Sequence, residues 1–193
     1  MKKIIFASKN EGKIRELRSI LKDMNVSIVS LTDIDFTGEI VESGSSFEEN
    51  AKIKAMEIYN MYRIPVIADD SGLVVDKLNG EPGIFSARYS GENATDEINN
   101  LLLIKKLNAL PEPHKAKFVC AAVYFDGTEI QTAIGEVNGK IINKPRGTKG
   151  FGYDPLFIPD GFTQTMGELD DDIKNKISHR YNAFNKLKKI ISN

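Results

Sequence analysis

A single cysteine, Cys120, stands among the 193 residues, so no internal disulfide can form and the composition fits a reducing cytoplasm. An excess of charge of either sign is also missing. The chain has 26 Lys and Arg against 27 Asp and Glu, a net charge of −1. The broad basic footprint by which proteins grip nucleic acid is therefore absent, and nucleic acid is not an expected partner. Long apolar runs are lacking too. No stretch approaches the ~20 residues that a membrane-spanning helix needs, so no membrane role is expected. The apolar run in MKKIIFASKN is too short for a signal peptide. Repeats, linkers and low-complexity tracts are equally absent. What is present is ordinary for a globular chain: 41% hydrophobic and 27% charged residues, enough for one domain over 1–193 with a substantial core. Cys120, inside KFVCAAVYF, reads as a packed core thiol rather than a nucleophile.

The pattern of apolar residues predicts an α/β fold. KIIFA (3–7) is a short buried strand, and Ile14, Leu17 and Leu21 mark one face of the helix after it. VSIVS (26–30) is a second strand, followed by a polar loop over 31–44. SSFEENAKIKAMEIYNMY opens with two overlapping capping boxes, Ser45 with Glu48 and Ser46 with Glu49, so a helix begins here. PVIA (65–68) is a third strand that ends at Asp69 and Asp70. Strand and helix alternating in this way imply largely parallel pairing. Farther on come a long loop over 77–94, a helix in TDEINNLLLIKKL, and an antiparallel hairpin turning at DGT. A Gly-rich loop, NKPRGTKGFGYDP, precedes a last helix over roughly 170–191 that carries Ile173, Ile177, Tyr181, Phe184, Leu187 and Ile191. A mixed central sheet with two lobes is the expected architecture.

Five constellations could carry chemistry. In VIADDSGLVV an apolar strand runs into two adjacent carboxylates, whose repulsion calls for a partner. A divalent cation is one, since Mg²⁺ takes one or two carboxylates plus substrate phosphates. Strand alternation would put Asp69 and Asp70 on opposite sides, unless the strand has already ended. The bland alternative is a hydrogen-bonded DDSG turn. FASKNEGK is a strand–turn–helix junction where helix amides, Ser8, Asn10 and Lys13 could bind phosphate; it lacks the Walker A spacing. Asn50 and Lys54 share a helical face that is either solvated or aimed inward at phosphate. Phe151, between glycines in GTKGFGYDP, could stack on a ligand or merely cover the core. Lys174, Ser178, His179 and Arg180 form a basic face, and adjacent His and Arg supply donors that suit the O6 and N7 of a purine.

Taken together, SKNEGKIREL, SFEENAKIKA, ADDSGLVV, GEPGIFSARYSG, GFGYDPLF and SHRYNA, in this order, resemble the inosine triphosphate pyrophosphatase family over almost the whole chain. The resemblance implies a homodimer with a long mixed sheet flanked by helices and a cleft between two lobes. It implies Mg²⁺-dependent hydrolysis of ITP, dITP and XTP to the monophosphate and pyrophosphate. By that resemblance Ser8, Lys9, Asn10, Glu11, Gly12 and Lys13 hold the triphosphate, and Asp70 is general base and metal ligand. Ser71, Phe151, Gly152, Tyr153, Asp154, Lys174, His179 and Arg180 contact substrate. A further acidic ligand is implied before the second helix. There Val41 stands where some members carry it, leaving Glu42, Glu39 or water.

The chemistry can be stated from the residues. Attack at the α-phosphorus needs neutralised phosphates, for which Lys13, Lys54, amides and Mg²⁺ would serve. It needs a carboxylate to take a proton from an in-line water, and Asp70 or Asp69 fits. Donors facing the 6-position would accept the oxygen of hypoxanthine or xanthine and reject the amino group of adenine, by roughly 10⁴-fold or more. On this reading Phe151 stacks on the base while His179 and Arg180 read its edge. Competing readings are a phosphohydrolase that clips the γ-phosphate or acts on modified pyrimidines, and a nucleotide-binding module without turnover.

Overall fold

A computed structural model describes residues 1–191. Six strands form one mixed sheet in the order β2-β1-β3-β4-β5-β6. They are β1 (Lys2–Phe6), β2 (Val26–Ser30), β3 (Val66–Val75), β4 (His114–Phe125), β5 (Ile130–Ile141) and β6 (Phe157–Pro159). β1 pairs in parallel with both β2 and β3, with Ile4 opposite Ile28 and Phe6 opposite Ile67. β6 runs antiparallel to β5, Lys140 lying opposite Ile158. The helices are α1 (Glu11–Leu21), α2 (Phe47–Tyr62), α3 (Asp96–Leu107), α4 (Asp171–Ile177) and α5 (His179–Ile191). No helix among the described residues is long and apolar enough to cross a membrane.

Two compact units share this chain. Among the described residues the first comprises 1–70, 120–135 and 179–191; the second comprises 71–119 and 136–178. In the first unit the sheet is covered on both faces, and strand alternation sorts the side chains between them. Ile4, Phe6 and Ile67 meet Ile14 and Leu17 of α1 and Phe184 and Leu187 of α5. Ile5, Ala7, Val66 and Ala68 meet Ala51, Ala55 and Ile58 of α2. The second unit has its own core, in which Leu73 and Val75 join Leu103 and Leu107 of α3 with Phe118, Tyr153 and Phe157.

Beyond the short strand β6, which the sequence pattern does not signal, three elements differ from the pattern read in the sequence. β3 does not stop at residue 68; it continues through both aspartates to Val75. Its buried row of Asp69 and Asp70 reads as polar in sequence because only tertiary partners make such burial tolerable. The last helix is two helices, because Ser178 takes an extended ψ of 151°. The 77–94 segment is not a structureless loop but holds 3₁₀ turns at Asp76–Leu78 and Gly83–Arg88.

Candidate active site

In the first unit, the sequence around each helix start explains where its side chains point. Asn10 caps α1, its Oδ1 accepting the Lys13 amide at 3.0 Å, while Ser8 Oγ accepts the Asn10 amide. This fixes the turn between β1 and α1 and sends Lys13 toward β3. Of the two capping boxes only the second forms. Ser46 caps α2 by accepting the Glu49 amide, and the Glu49 carboxylate accepts from the amide and hydroxyl of Ser45. Glu48 is left to pair with Lys52 one turn on. With the register of α2 set, Asn50 and Lys54 face β3.

Because β3 continues, Asp69 and Asp70 project to opposite faces. Asp69 lies on the side of α1 and α5, where its Oδ2 meets Lys13 Nζ at 3.0 Å and Arg180 Nε at 3.2 Å. Arg180 also binds the Glu16 carboxylate. Burial pushes the Asp69 carboxyl up, but the Lys13 ammonium and the Arg180 guanidinium outweigh it and hold the group well below the carboxylate range. Asp70 lies on the α2 side, where Asn50 Nδ2 donates to it at 3.0 Å and Lys54 Nζ stands 3.8 Å away. Here burial prevails over Lys54 and Lys13, Glu42 adds repulsion, and the carboxyl is raised. Two neighbouring acids thus titrate in opposite directions, the pattern that separates a permanently charged group from one able to exchange protons.

Lys54 binds Glu42 at 2.6 Å as well as approaching Asp70. Burial lowers the Lys54 ammonium, yet Asp70, Asp69 and Glu42 together raise it above its ordinary range. Among the described residues no cluster of three or more His, Cys, Asp or Glu stands ready for a metal. Glu42 and Asp70 are instead two carboxylates gathered about one cationic group. Such a sparse, all-oxygen set suits a hard divalent cation that completes its shell with phosphate oxygens and water. Glu39 is exposed. Asn50 links this acidic loop to β3, since its Oδ1 accepts the Gly44 amide at 2.8 Å while its Nδ2 serves Asp70.

The second unit brings together Phe151, Asp154 and Lys174. Asp154 Oδ2 accepts the Phe151 amide at 2.9 Å and Lys174 Nζ at 2.7 Å. Lys174 Nζ lies 5.0 Å from the centre of the Phe151 ring, a cation–π contact. Gly150 adopts φ of 79°, and a Cβ there would fall 2.1 Å from Asp154 Oδ2, so only glycine fits. Tyr153 is buried, with its hydroxyl donating to Ser86 O at 2.9 Å. Ser71 follows Asp70 on β3 and is half-buried. Gly72 ends the DDSG puzzle. A Cβ there would stand 2.3 Å from Ser86 Oγ and 2.4 Å from Gly83 O, so the glycine admits the 3₁₀ turn against the strand.

Arg180, expected to read the edge of the base, is held among carboxylates. It is 1% exposed and grips Glu16 and Asp69 within the first unit. The expected helix over 170–191 would have set it on a surface face; the break at Ser178 makes it the second residue of a new helix directed inward. His179, first in α5, is buried as well. Lys9 reaches Gly38 O and the Phe36 ring, while Glu11 is exposed and Gly12 half-buried at the start of α1. Glu16, Asp96 and Asn100 carry no signal in the sequence reading. Each sits in an ordinary amphipathic helix, and nothing local separates such residues from solvated ones.

Comparison with known proteins places the chain in a family over nearly its whole length. The model of the Ham1 family matches residues 4–190. A dITP/XTP pyrophosphatase of Bacillus licheniformis is 49% identical over 193 residues, covering 99% of this chain and 98% of its own. The dITP/XTP pyrophosphatase of Bacillus subtilis is 46% identical over the same shares. A solved HAM1 protein from Coxiella burnetii superposes with a TM-score of 0.91 at 36% identity, covering 100% of this chain and 99% of its own.

Proposed function

Because this chain belongs to the Ham1 family, we propose that it hydrolyses the purine nucleoside triphosphates dITP, ITP and XTP to the monophosphate and pyrophosphate. The observation that carries the mechanism is the split of Asp69 and Asp70 across β3. Asp69 stays ionised and holds Lys13 at the turn where the amides of α1 begin, so a cation and helix amides meet the anionic triphosphate there. Lys54 adds a second ammonium for the phosphate charge. Asp70, raised by burial and oriented by Asn50, takes the proton of the attacking water. Held by Glu42 and Asp70, Mg²⁺ would neutralise phosphate charge and lower the pKa of water. No serine or cysteine nucleophile is needed; Cys120 is buried and its thiol is pushed up by burial and by Asp69.

Phe151 serves as the stacking surface for the base, with Lys174 and backbone amides as donors for its 6-oxygen. Arg180 acts on this reading through Asp69. A homodimer and a cytoplasmic setting belong to the same proposal. The deciding experiment offers dITP, XTP, ITP, ATP, GTP and dUTP with and without Mg²⁺ and measures pyrophosphate and orthophosphate separately. Mg²⁺-dependent pyrophosphate release confined to the deaminated purines is expected. Orthophosphate as the first product, preference for a pyrimidine, or tight binding without turnover would overturn the reading. Light scattering reports the oligomeric state.

A further inference from the structure

The Phe151 ring is half-exposed, so its direction depends on how the peptide beneath it is held. That peptide is held from α3. Asp96 Oδ2 accepts the Gly152 amide at 2.6 Å, and Asn100 Nδ2 donates to the Gly152 carbonyl at 3.0 Å. The two side chains are four residues apart and therefore share one face of the helix. Asp96 is the first helical residue, placed there by the Thr95 cap, whose hydroxyl accepts the Ile98 amide. Gly152 adopts φ of 62°, a conformation few side chains tolerate, and the clamp takes hold of both its polar backbone groups. Asn100 is 8% exposed, and its Oδ1 is buried without a hydrogen-bond partner among the described residues. The amide is thus tied at one end only, to Gly152. Leucine at 100 would pack more readily in such a place, so the donor toward Gly152 is what asparagine contributes.

We infer that Asp96 and Asn100 are positioning residues that fix Gly152 and thereby aim the Phe151 ring at the purine base, without themselves touching substrate. This rests on the stacking role proposed for Phe151. Neighbouring contacts fix the rest of the loop: Asp154 holds the Phe151 amide, and Tyr153 is tied to Ser86. The Asp154 amide also reaches the Phe151 carbonyl at 3.3 Å, while the Gly152 amide and carbonyl are held by Asp96 and Asn100. The clamp therefore bears on base affinity, while the charges that meet the triphosphate belong to Lys13 and Lys54 and are left as they were.

The test compares Asp96→Ala and Asn100→Leu with Phe151→Ala in the full chain. It reads KM and kcat for dITP, the inhibition constant of inorganic tripolyphosphate, and Tm. Tripolyphosphate has no base, so it reports the phosphate groups alone. The clamp variants should raise KM for dITP about tenfold, with kcat little changed and tripolyphosphate inhibition unaltered. Asp96→Asn keeps an acceptor for the Gly152 amide and should restore KM. Asn100→Asp preserves volume but sets a carboxylate oxygen against the Gly152 carbonyl; it should behave like the leucine variant, and it serves if leucine impairs folding. If Phe151→Ala raises KM but the clamp variants do not, or if KM and tripolyphosphate inhibition weaken together, the positioning role is wrong. If Phe151→Ala itself leaves KM unchanged, the stacking reading falls and takes this inference with it.

Discussion

Asp69 and Asp70 are joined by one peptide bond, yet Asp69 binds Lys13 and Arg180 while Asp70 accepts from Asn50 on the other face of β3. The pleat gives them different hydrogen-bond and ion-pair partners, although Lys13 and Lys54 act on both carboxyls through space.

Asp70→Asn removes the proposed proton acceptor and leaves the shape. The turnover number should fall by about 10²–10⁴-fold. Burial disfavours the charge of Asp70, so the variant should unfold no earlier than the parent in metal-free buffer. Steady-state pyrophosphate release and thermal melts on the same preparations check both halves.

Asp69→Asn should instead unfold the first unit's core early. It leaves Lys13 and Arg180 without their shared carboxylate, and breaking a buried pair costs about 3–5 kcal/mol. Urea titration followed by circular dichroism measures the loss.

The sign of the acid response also follows from Asp69. Its folded carboxyl binds protons less readily than the ordinary group near 3.8. The unfolded chain therefore takes up the proton first, and the stabilisation present above that value drains away as pH falls below it. Urea midpoints measured from pH 7 down to pH 3 should drop steeply at the acid end, and the slope should be shallower in Asp69→Asn.

Arg180→Lys retains charge but not the fork that spans Glu16 and Asp69. It should lower Tm and kcat together. Unchanged stability with altered preference between dITP and dATP would return Arg180 to reading the base.

Gly72→Ala forces a Cβ against Ser86 Oγ and Gly83 O. Overpacking of this kind costs about 1–3 kcal/mol, and a chemical denaturation curve will register it.

Alternating strands and helices, the capped start of α2 and the concentration of carboxylates after VIA were all legible in the residues, because periodicity and capping act over a few positions. β3 was cut short in that reading, since a strand carrying two buried aspartates contradicts local polarity until Lys13, Arg180, Asn50 and Lys54 are brought to it. The break at Ser178 was hidden for a similar reason: the apolar stripe continues past it in sequence although the backbone turns.

By itself, then, the order of residues determined the α/β class, the strand–turn–helix junction at 8–13 and the identity of the acidic pair. Tertiary structure alone decided which aspartate is pushed below the ordinary carboxylate range and which above it, that Arg180 is buried against Glu16 and Asp69, and that α3 holds Gly152. Those outcomes depend on burial and on charges brought from distant segments, and neither quantity is written in any local stretch of chain.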